Sequence, residues 1–262
     1  MTAQRLTEEP IPVEICIDAS SRQAAQRSAG AAFRGGASRI EVCSDMSVEG
    51  LTPPPSSIAE ARRVYGTRSG VLAMIRPRPG DFVYSRSELT TMHRDLDMAA
   101  EAGADGVVFG ALSGPQHRIA EPAVRKLAQQ AKDHGLRISF HRAFDAVADR
   151  QSALELLIDC GVDRVLSSGT AWGTEGSALE GLVTLESLIG MAAGRIEIVV
   201  GGGVRASNVK TILSRIQRRG GPISVHCYSG VVSNGSTSRV RVRELVSLVS
   251  EASRTQPPIE RS

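Results

Sequence analysis

The sequence has 262 residues, 41% of them hydrophobic and 23% charged, and its formal net charge is +3 at neutral pH. This composition is typical of a globular protein, and so small a net charge indicates neither a nucleic-acid partner nor a membrane surface. No apolar run approaches the roughly 18 residues that a membrane-spanning helix needs. The N-terminal segment also lacks the apolar core of a secretory signal, so four cysteines in such a chain favour reduced thiols and a cytoplasmic location.

Short apolar segments alternate with amphipathic ones, which is typical of repeated β-strand and α-helix units. Eight apolar segments predict strands, at 13–17, 39–43, 71–76, 105–109, 137–141, 163–167, 195–200 and 222–227. Helical periodicity is clearest at 86–102 and 121–134, and a ninth helix is expected near 239–253. Eight such units predict an α/β fold, a parallel (β/α)8 TIM barrel, as one domain over 11–254 between disordered tails at 1–10 and 255–262. A doubly wound open sheet is the alternative, but the first strand lacks the Gly-x-Gly-x-x-Gly turn that usually follows it there.

The first two predicted strands repeat a Glu-apolar-Cys pattern, in VEICID at 13–18 and IEVCSD at 40–45. Side chains alternate along a strand, so Glu14 shares a face with Cys16, and Glu41 shares a face with Cys43. Neighbouring strands lie about 5 Å apart, which allows the two thiols to share a soft ion such as Cu(I). Alternatively, each cysteine is simply a small buried apolar residue, and no CxxC or HxxxH spacing decides between the two.

Charged residues at the predicted strand ends indicate a second kind of chemistry. Buried Glu14 and Glu41 need a partner, and Arg76 at the end of strand 3 is the candidate, either in a structural ion-pair network or in an acid/base site. His141 ends strand 5, and Asp145 is near enough in sequence to orient its imidazole for catalysis, unless the imidazole is structural. The sequence has no Gly-x-Ser-x-Gly elbow and no Lys on a predicted strand, so serine-hydrolase and Schiff-base chemistry are disfavoured.

Three segments favour an anion site at the same end of the barrel. Arg78 lies with Arg76 in a loop that two prolines stiffen, and arginine binds carboxylate or phosphate well. Gly201, Gly202 and Gly203 separate strand 7 from a helix expected near Ala206, and Ser168 and Gly169 follow strand 6. The glycines are alternatively explained by a tight turn. One hypothesis is therefore a metal-independent enzyme that acts on a small anionic or phosphorylated metabolite.

In chain order, VEICID, RIEVCSD with GLTP, MIRPRPGDFVYS, GVVFGAL, FHRAFD, RVLSSG, VVGGGVR and HC resemble the motifs of the CutC family, from about Val13 to Ser229. The resemblance implies a cytoplasmic TIM barrel associated with copper homeostasis, with Cys16 and Cys43 matching the family's copper-associated thiols. It implies a copper ion as partner but no settled reaction, so enzymatic activity stays open. Val48 stands where the family usually has Glu, and the loop after Cys227 is shorter than in other members. Homo-oligomers are common among such barrels, so we expect one here.

Overall fold

A computed structural model describes residues 10–216 and 221–254 of the chain. Eight strands form the barrel: β1 Val13–Asp18, β2 Arg39–Cys43, β3 Val71–Met74, β4 Gly106–Phe109, β5 Arg137–Phe140, β6 Arg164–Ser167, β7 Glu197–Val200 and β8 Ile223–Cys227. Each strand pairs in parallel with the next, and β8 pairs with β1, so the sheet is closed. The predicted (β/α)8 barrel is therefore confirmed. The expected tails at 1–10 and 255–262 lie, apart from Pro10, outside the described residues.

One α-helix follows each strand: α1 Arg22–Gly35, α2 Pro55–Tyr65, α3 Arg86–Glu101, α4 Glu121–Asp133, α5 Arg150–Asp159, α6 Leu182–Ala192, α7 Val209–Arg215 and α8 Arg239–Arg254. The helix predicted as a ninth, near 239–253, is instead the eighth. Between β8 and α8 the chain forms a short 3-10 turn and a hairpin of two-residue strands. Over the described residues, the longest helices are too short or too polar to cross a bilayer.

Local signals in the sequence fix where several helices begin and end. The Ser21 hydroxyl accepts a hydrogen bond from the backbone of α1, and Ser85 and Glu88 form a reciprocal capping box at the start of α3. A Cβ atom on Gly35 would lie 2.5 Å from the Val242 side chain, so glycine is required for α1 to pack this closely against α8. Capping and close packing thus set how these helices cover the strands.

The strands are buried on both faces, but the two faces carry different residues. Ile15, Ile17 and Val42 point outward into the large core between the barrel and its helices. Inward-facing residues at the carboxyl-terminal half form a separate small cluster of Cys16, Cys43, Leu72, Met74 and Val108. One part of the barrel interior near its carboxyl-terminal mouth is therefore apolar and rich in sulfur.

A layer of ion pairs fills the opposite half of the barrel interior. The Arg39 guanidinium donates from Nε to Glu14 Oε2 over 2.6 Å, and from Nη2 to the Glu197 carboxylate and to Ser224 Oγ. Arg164 Nε lies 3.6 Å from Glu197 Oε2 and adds a second cation to this layer. Because β1, β2, β6, β7 and β8 all contribute, the layer ties most of the barrel together beneath the mouth.

Candidate functional site

A cavity of about 330 Å³ lies at the carboxyl-terminal mouth of the barrel. Its lining includes Cys16 and Glu41 from β1 and β2, His226 from β8, and Arg76 and His141, which follow β3 and β5. This is the end at which TIM barrels carry their functional residues. The cavity brings together six of the residues that the sequence predicts as site residues and adds His226; the six are Cys16, Glu41, Arg76, His141, Gly202 and Gly203.

Three sulfur atoms meet at one side of the mouth. Cys16 Sγ lies 3.7 Å from Cys43 Sγ and 3.8 Å from Met46 Sδ. The two thiols are offset along the strands, since Cys16 pairs with Glu41 and Cys43 pairs with Asp18. They meet diagonally across the β1–β2 ladder because the strands of a barrel are staggered. The sequence gives no spacing signal for Met46, which reaches the thiols only because a 3-10 turn over Met46–Val48 bends back over β2.

Both cysteines are protonated thiols in the metal-free protein. The hydrogen bond to Cys43 and burial raise the pKa of Cys16 well above its ordinary value. The hydrogen bond from Cys16 lowers the pKa of Cys43, but burial and the nearby Glu41 carboxylate outweigh this effect and raise that pKa to about 11. Since the thiolate is the nucleophile, neither cysteine is suited to covalent catalysis at neutral pH.

Glu41 and His226 form a buried charged pair beside Cys16. His226 Nε2 lies 2.8 Å from Glu41 Oε2, while Glu41 Oε1 has no hydrogen-bond partner among the described residues. Burial disfavours the imidazolium, but the Glu41 carboxylate prevails and raises the pKa of His226 well above its usual value. One ligand atom each from Cys16, Glu41 and His226 lies within 4.8 Å of the others, which is a second possible metal-binding arrangement. His226 lies at the end of the predicted strand 222–227, and this position could have identified it as a site residue.

Glu14 belongs to the ion-pair layer and does not line the cavity. The expected pairing of Glu14 with Arg76 is wrong, because the neighbouring β2 residue Arg39 reaches Glu14 first. Strand register, which the sequence does not show, decides this partner.

Arg76 is almost completely buried and is held by backbone carbonyls. Its Nη1 donates to the carbonyl oxygens of Val48 and Gly50 over 2.8 and 3.1 Å, and its Nη2 donates to that of Gly80 over 3.1 Å. Within residues 10–216 and 221–254 no carboxylate forms an ion pair with it, and its Nε has no hydrogen-bond partner. Because the Val48 contact uses the backbone, the side chain at position 48 does not enter it.

His141 is a buried, neutral imidazole. Its Nδ1 accepts a hydrogen bond from the Ala143 amide over 3.1 Å, so the ring proton resides on Nε2, and Nε2 has no partner among the described residues. Burial, followed by the positive charge of Arg76, lowers the pKa of His141 to about 3. His141 is therefore a hydrogen-bond donor at neutral pH and not a proton carrier.

Asp145 does not orient His141, which corrects the expectation from their spacing. Its carboxylate accepts hydrogen bonds from Arg142 Nε at 2.8 Å, from Ser167 Oγ at 2.5 Å, and from the amide and hydroxyl of Ser168. The 3-10 turn Arg142–Ala146 directs Asp145 toward the end of β6. Asp145 thus positions Arg142, a cavity residue of the motif FHRAFD that is not among the predicted site residues.

Some of the residues that were expected to bind an anion line the cavity, and the others lie outside it. Arg78 lies outside the cavity, where it binds Glu88 Oε1 at 2.5 Å, Asp81 Oδ1 at 2.8 Å and loop carbonyls. Ser168 holds Arg142, and neither Ser168 nor Gly169 lines the cavity. Of the three consecutive glycines, Gly202 and Gly203 line the cavity but Gly201 does not. The helix after them begins at Val209, not near Ala206.

Comparisons with known proteins agree with the fold and the motifs. The sequence model of the CutC family matches residues 11–229. A CutC family protein of Rhizobium meliloti is 41% identical over 206 residues, which are 79% of this chain and 78% of that protein. The human copper homeostasis protein cutC homolog is 40% identical over 215 residues, which are 82% of this chain and 72% of that protein. The crystal structure of CutC from Streptococcus agalactiae has a TM-score of 0.70 and 30% identity, over 82% of this chain and 98% of that one. This protein therefore belongs to the CutC family.

Proposed function

We propose that this protein binds Cu(I) at the sulfur cluster formed by Cys16, Cys43 and Met46. The observation that carries the proposal is the pair of sulfur–sulfur distances, 3.7 and 3.8 Å, measured from Cys16 Sγ. Metal–thiolate bonds are about 2.3 Å long in protein zinc sites, so sulfurs at this separation can share one ion. Thiolate and thioether ligands select soft ions, and Cu(I) is the soft ion that accepts both.

The surroundings of the sulfur cluster favour a soft, weakly hydrated ion. Leu72, Met74 and Val108 pack against the two thiols, and all three are buried. A strongly hydrated dication such as Mg²⁺ would lose its water there and find few oxygen ligands. Cu(I) instead binds the sulfur atoms directly and displaces the two thiol protons, which leaves the loaded site with one net negative charge.

The human relative is named a copper homeostasis protein, and by similarity we propose the same role for this protein. All four cysteines of the chain, Cys16, Cys43, Cys160 and Cys227, are free thiols. Free thiols persist in the reducing cytoplasm, so we place the protein there, where it holds copper as cargo. The Cys227 thiol donates to the Val204 carbonyl over 3.0 Å and takes no part in the sulfur cluster.

X-ray absorption at the copper edge tests the ligand set of the reduced protein loaded with one equivalent of Cu(I). We expect a first shell made of sulfur alone, unchanged in a Cys160→Ser variant, because Cys160 lies at the end of α5 and away from the mouth. A first shell dominated by nitrogen and oxygen would contradict the proposal and would assign the ion to Cys16, Glu41 and His226.

A further inference from the structure

We propose that the same cavity binds a small organic monocarboxylate through Arg76 and His141, with the apolar part of the ligand against Phe82 and Trp172. These four residues, the carboxylate site, all line the cavity, and none of them belongs to the sulfur cluster. The inference therefore stands apart from copper binding, and either can fail without the other.

The charge of Arg76 is the first reason to expect an anion. A buried guanidinium is costly unless an opposite charge compensates it, yet no carboxylate pairs with Arg76 among the described residues. Its hydrogen bonds go to carbonyl oxygens, and the centroid of the Phe82 ring lies 5.3 Å from its guanidinium carbon. Its Nε is buried without a hydrogen-bond partner. An anionic ligand in the cavity would supply both the missing charge and the missing acceptor.

His141 provides a second unpaired donor in the lining of the same cavity. Its Nε2–H is buried and lacks a partner in the described part of the chain, and a buried donor without an acceptor destabilises the fold. The ring is fixed in place, since Phe82 lies 4.9 Å from it between ring centroids and a Cβ on Gly110 would lie 2.6 Å from the imidazole. A carboxylate has two oxygens, one for each of these donors.

The rest of the wall indicates that the ligand carries an apolar group. Phe82 and Trp172 pack edge to face with ring centroids 4.9 Å apart, and Met74 and Leu166 add apolar surface to the lining. A cavity of about 330 Å³ is at the small end of the range for ligand pockets, so the ligand is a small molecule.

The charges around the cavity favour one negative charge over two. The Arg142 charge is balanced by Asp145, and the His226 charge is balanced by Glu41. Among the described residues that line the cavity, Arg76 is the buried charged group without a counter-charge. Glu49 also lines the cavity, but it lies at the rim and is exposed to solvent. Arg76 uses three of its five N–H donors on carbonyls, which leaves Nε–H and one Nη2–H for an anion. Its single charge balances the one negative charge of a carboxylate better than the two that phosphate can carry.

Fluorescence offers a direct test, because Trp172 is the only tryptophan of the chain and lies in the cavity lining. The metal-free, reduced protein is titrated with cyclohexanecarboxylate, with the uncharged cyclohexanemethanol, and with inorganic phosphate. We expect a saturable change in Trp172 emission with the carboxylate, and binding at least about tenfold weaker for the other two probes. Equal binding of the alcohol, tighter binding of phosphate, or no saturable change with the carboxylate would overturn the proposal.

Two variants and a matched control identify the residues involved. Asn at position 141 can keep the hydrogen bond to the Ala143 amide but lacks the Nε2 donor, so His141→Asn is expected to weaken carboxylate binding about tenfold or more. Arg76→Met is expected to weaken it further. Arg78→Met changes an arginine of the same loop that lies outside the cavity, and we expect unchanged affinity. Should Arg76→Met fail to fold, an unaltered affinity in His141→Asn would by itself overturn the assignment.

Discussion

Two imidazoles at the mouth of the barrel have opposite properties because their neighbours differ in charge. His141 lies close enough to Arg76 for the guanidinium to disfavour its protonation, and burial acts in the same direction. His226 contacts the Glu41 carboxylate, which stabilises the imidazolium despite burial. One histidine is therefore a neutral donor and the other a cation, although both lie at the carboxyl ends of barrel strands.

The state of His141 has a consequence for stability against pH. Its pKa is about 3 in the folded protein and about 6.5 when unfolded, so below pH 6.5 the unfolded chain binds a proton that the folded one does not. Stability from this residue is thus lost as the pH falls, by about 2 kcal/mol at pH 5. Between pH 7.5 and 5, urea unfolding should show the parent losing about 2 kcal/mol more than His141→Asn. Parallel pH profiles for the two proteins would contradict the buried, neutral imidazole.

Sequence reasoning identified most of the residues at the mouth but not their partners. Glu41, Arg76, His141 and Cys16 were all expected there from their places at strand ends. The predicted partners of Glu14 and Asp145 were wrong, because in each case an arginine that is nearer in sequence binds the carboxylate. Arg39 reaches Glu14 across the β1–β2 ladder, and Arg142 reaches Asp145 within one turn of 3-10 helix.

The segment between β2 and α2 connects the two candidate sites. Asp45 and Glu49, on either side of the 3-10 turn, have left-handed φ values of 48° and 69°, and Gly50 follows with 88°. This backbone places Met46 beside Cys16, and its carbonyls at Val48 and Gly50 hold Arg76. Such strained conformations persist where the surrounding structure requires them, and they cluster at functional sites.

Gly50 tests the importance of this segment. A Cβ at position 50 would lie 3.2 Å from Cys43 Sγ and 3.3 Å from Met46 Sδ, while a Cβ at Gly66, which also has a positive φ, would meet nothing within 4 Å. Each substitution by Ala should cost about 1–3 kcal/mol of unfolding free energy, because an L-residue is strained at a positive φ. Only Gly50→Ala should also weaken Cu(I) binding, as measured by competition with a chelator. Equal Cu(I) affinity in Gly50→Ala and Gly66→Ala would show that the sulfur positions do not matter.

The sequence predicted the positions of the strands better than the register between them. The apolar runs marked all eight strands, because strands covered on both faces need continuous apolar residues. The stagger that offsets Cys16 from Cys43 is a property of barrel closure and leaves no local trace. The extra helix near 239–253 was miscounted because the eighth unit begins with a turn and a hairpin before its helix.

In the molecule as a whole, one half of the barrel interior stabilises the fold and the other half provides the candidate binding sites. The half around Arg39 consists of charges that satisfy one another, whereas the mouth contains unpaired polar atoms on Glu41, Arg76 and His141. Groups left without partners in the fold are available for a ligand, and groups with full sets of partners stabilise the barrel.

Removal of Arg39 tests this division. Arg39→Met leaves Glu14 and Glu197 buried without their shared guanidinium, so we expect a loss of about 3–5 kcal/mol in the free energy of unfolding. The matched control is Arg195→Met, because Arg195 pairs with Glu155 on the exposed surface and should contribute less than about 1 kcal/mol. Similar losses in both variants, measured by chemical denaturation, would mean that the ion-pair layer is not a major source of stability.

The most direct test of the central claim is a Cu(I) competition titration of the reduced protein against a Cys16→Ser/Cys43→Ser variant whose circular dichroism matches the parent. Cys160→Ser serves as control, since that thiol is also buried but lies outside the mouth. The account predicts that the parent and the control each bind one Cu(I) and that the double variant binds at least about 100-fold more weakly. Equal binding by all three proteins would contradict a copper site at the sulfur cluster.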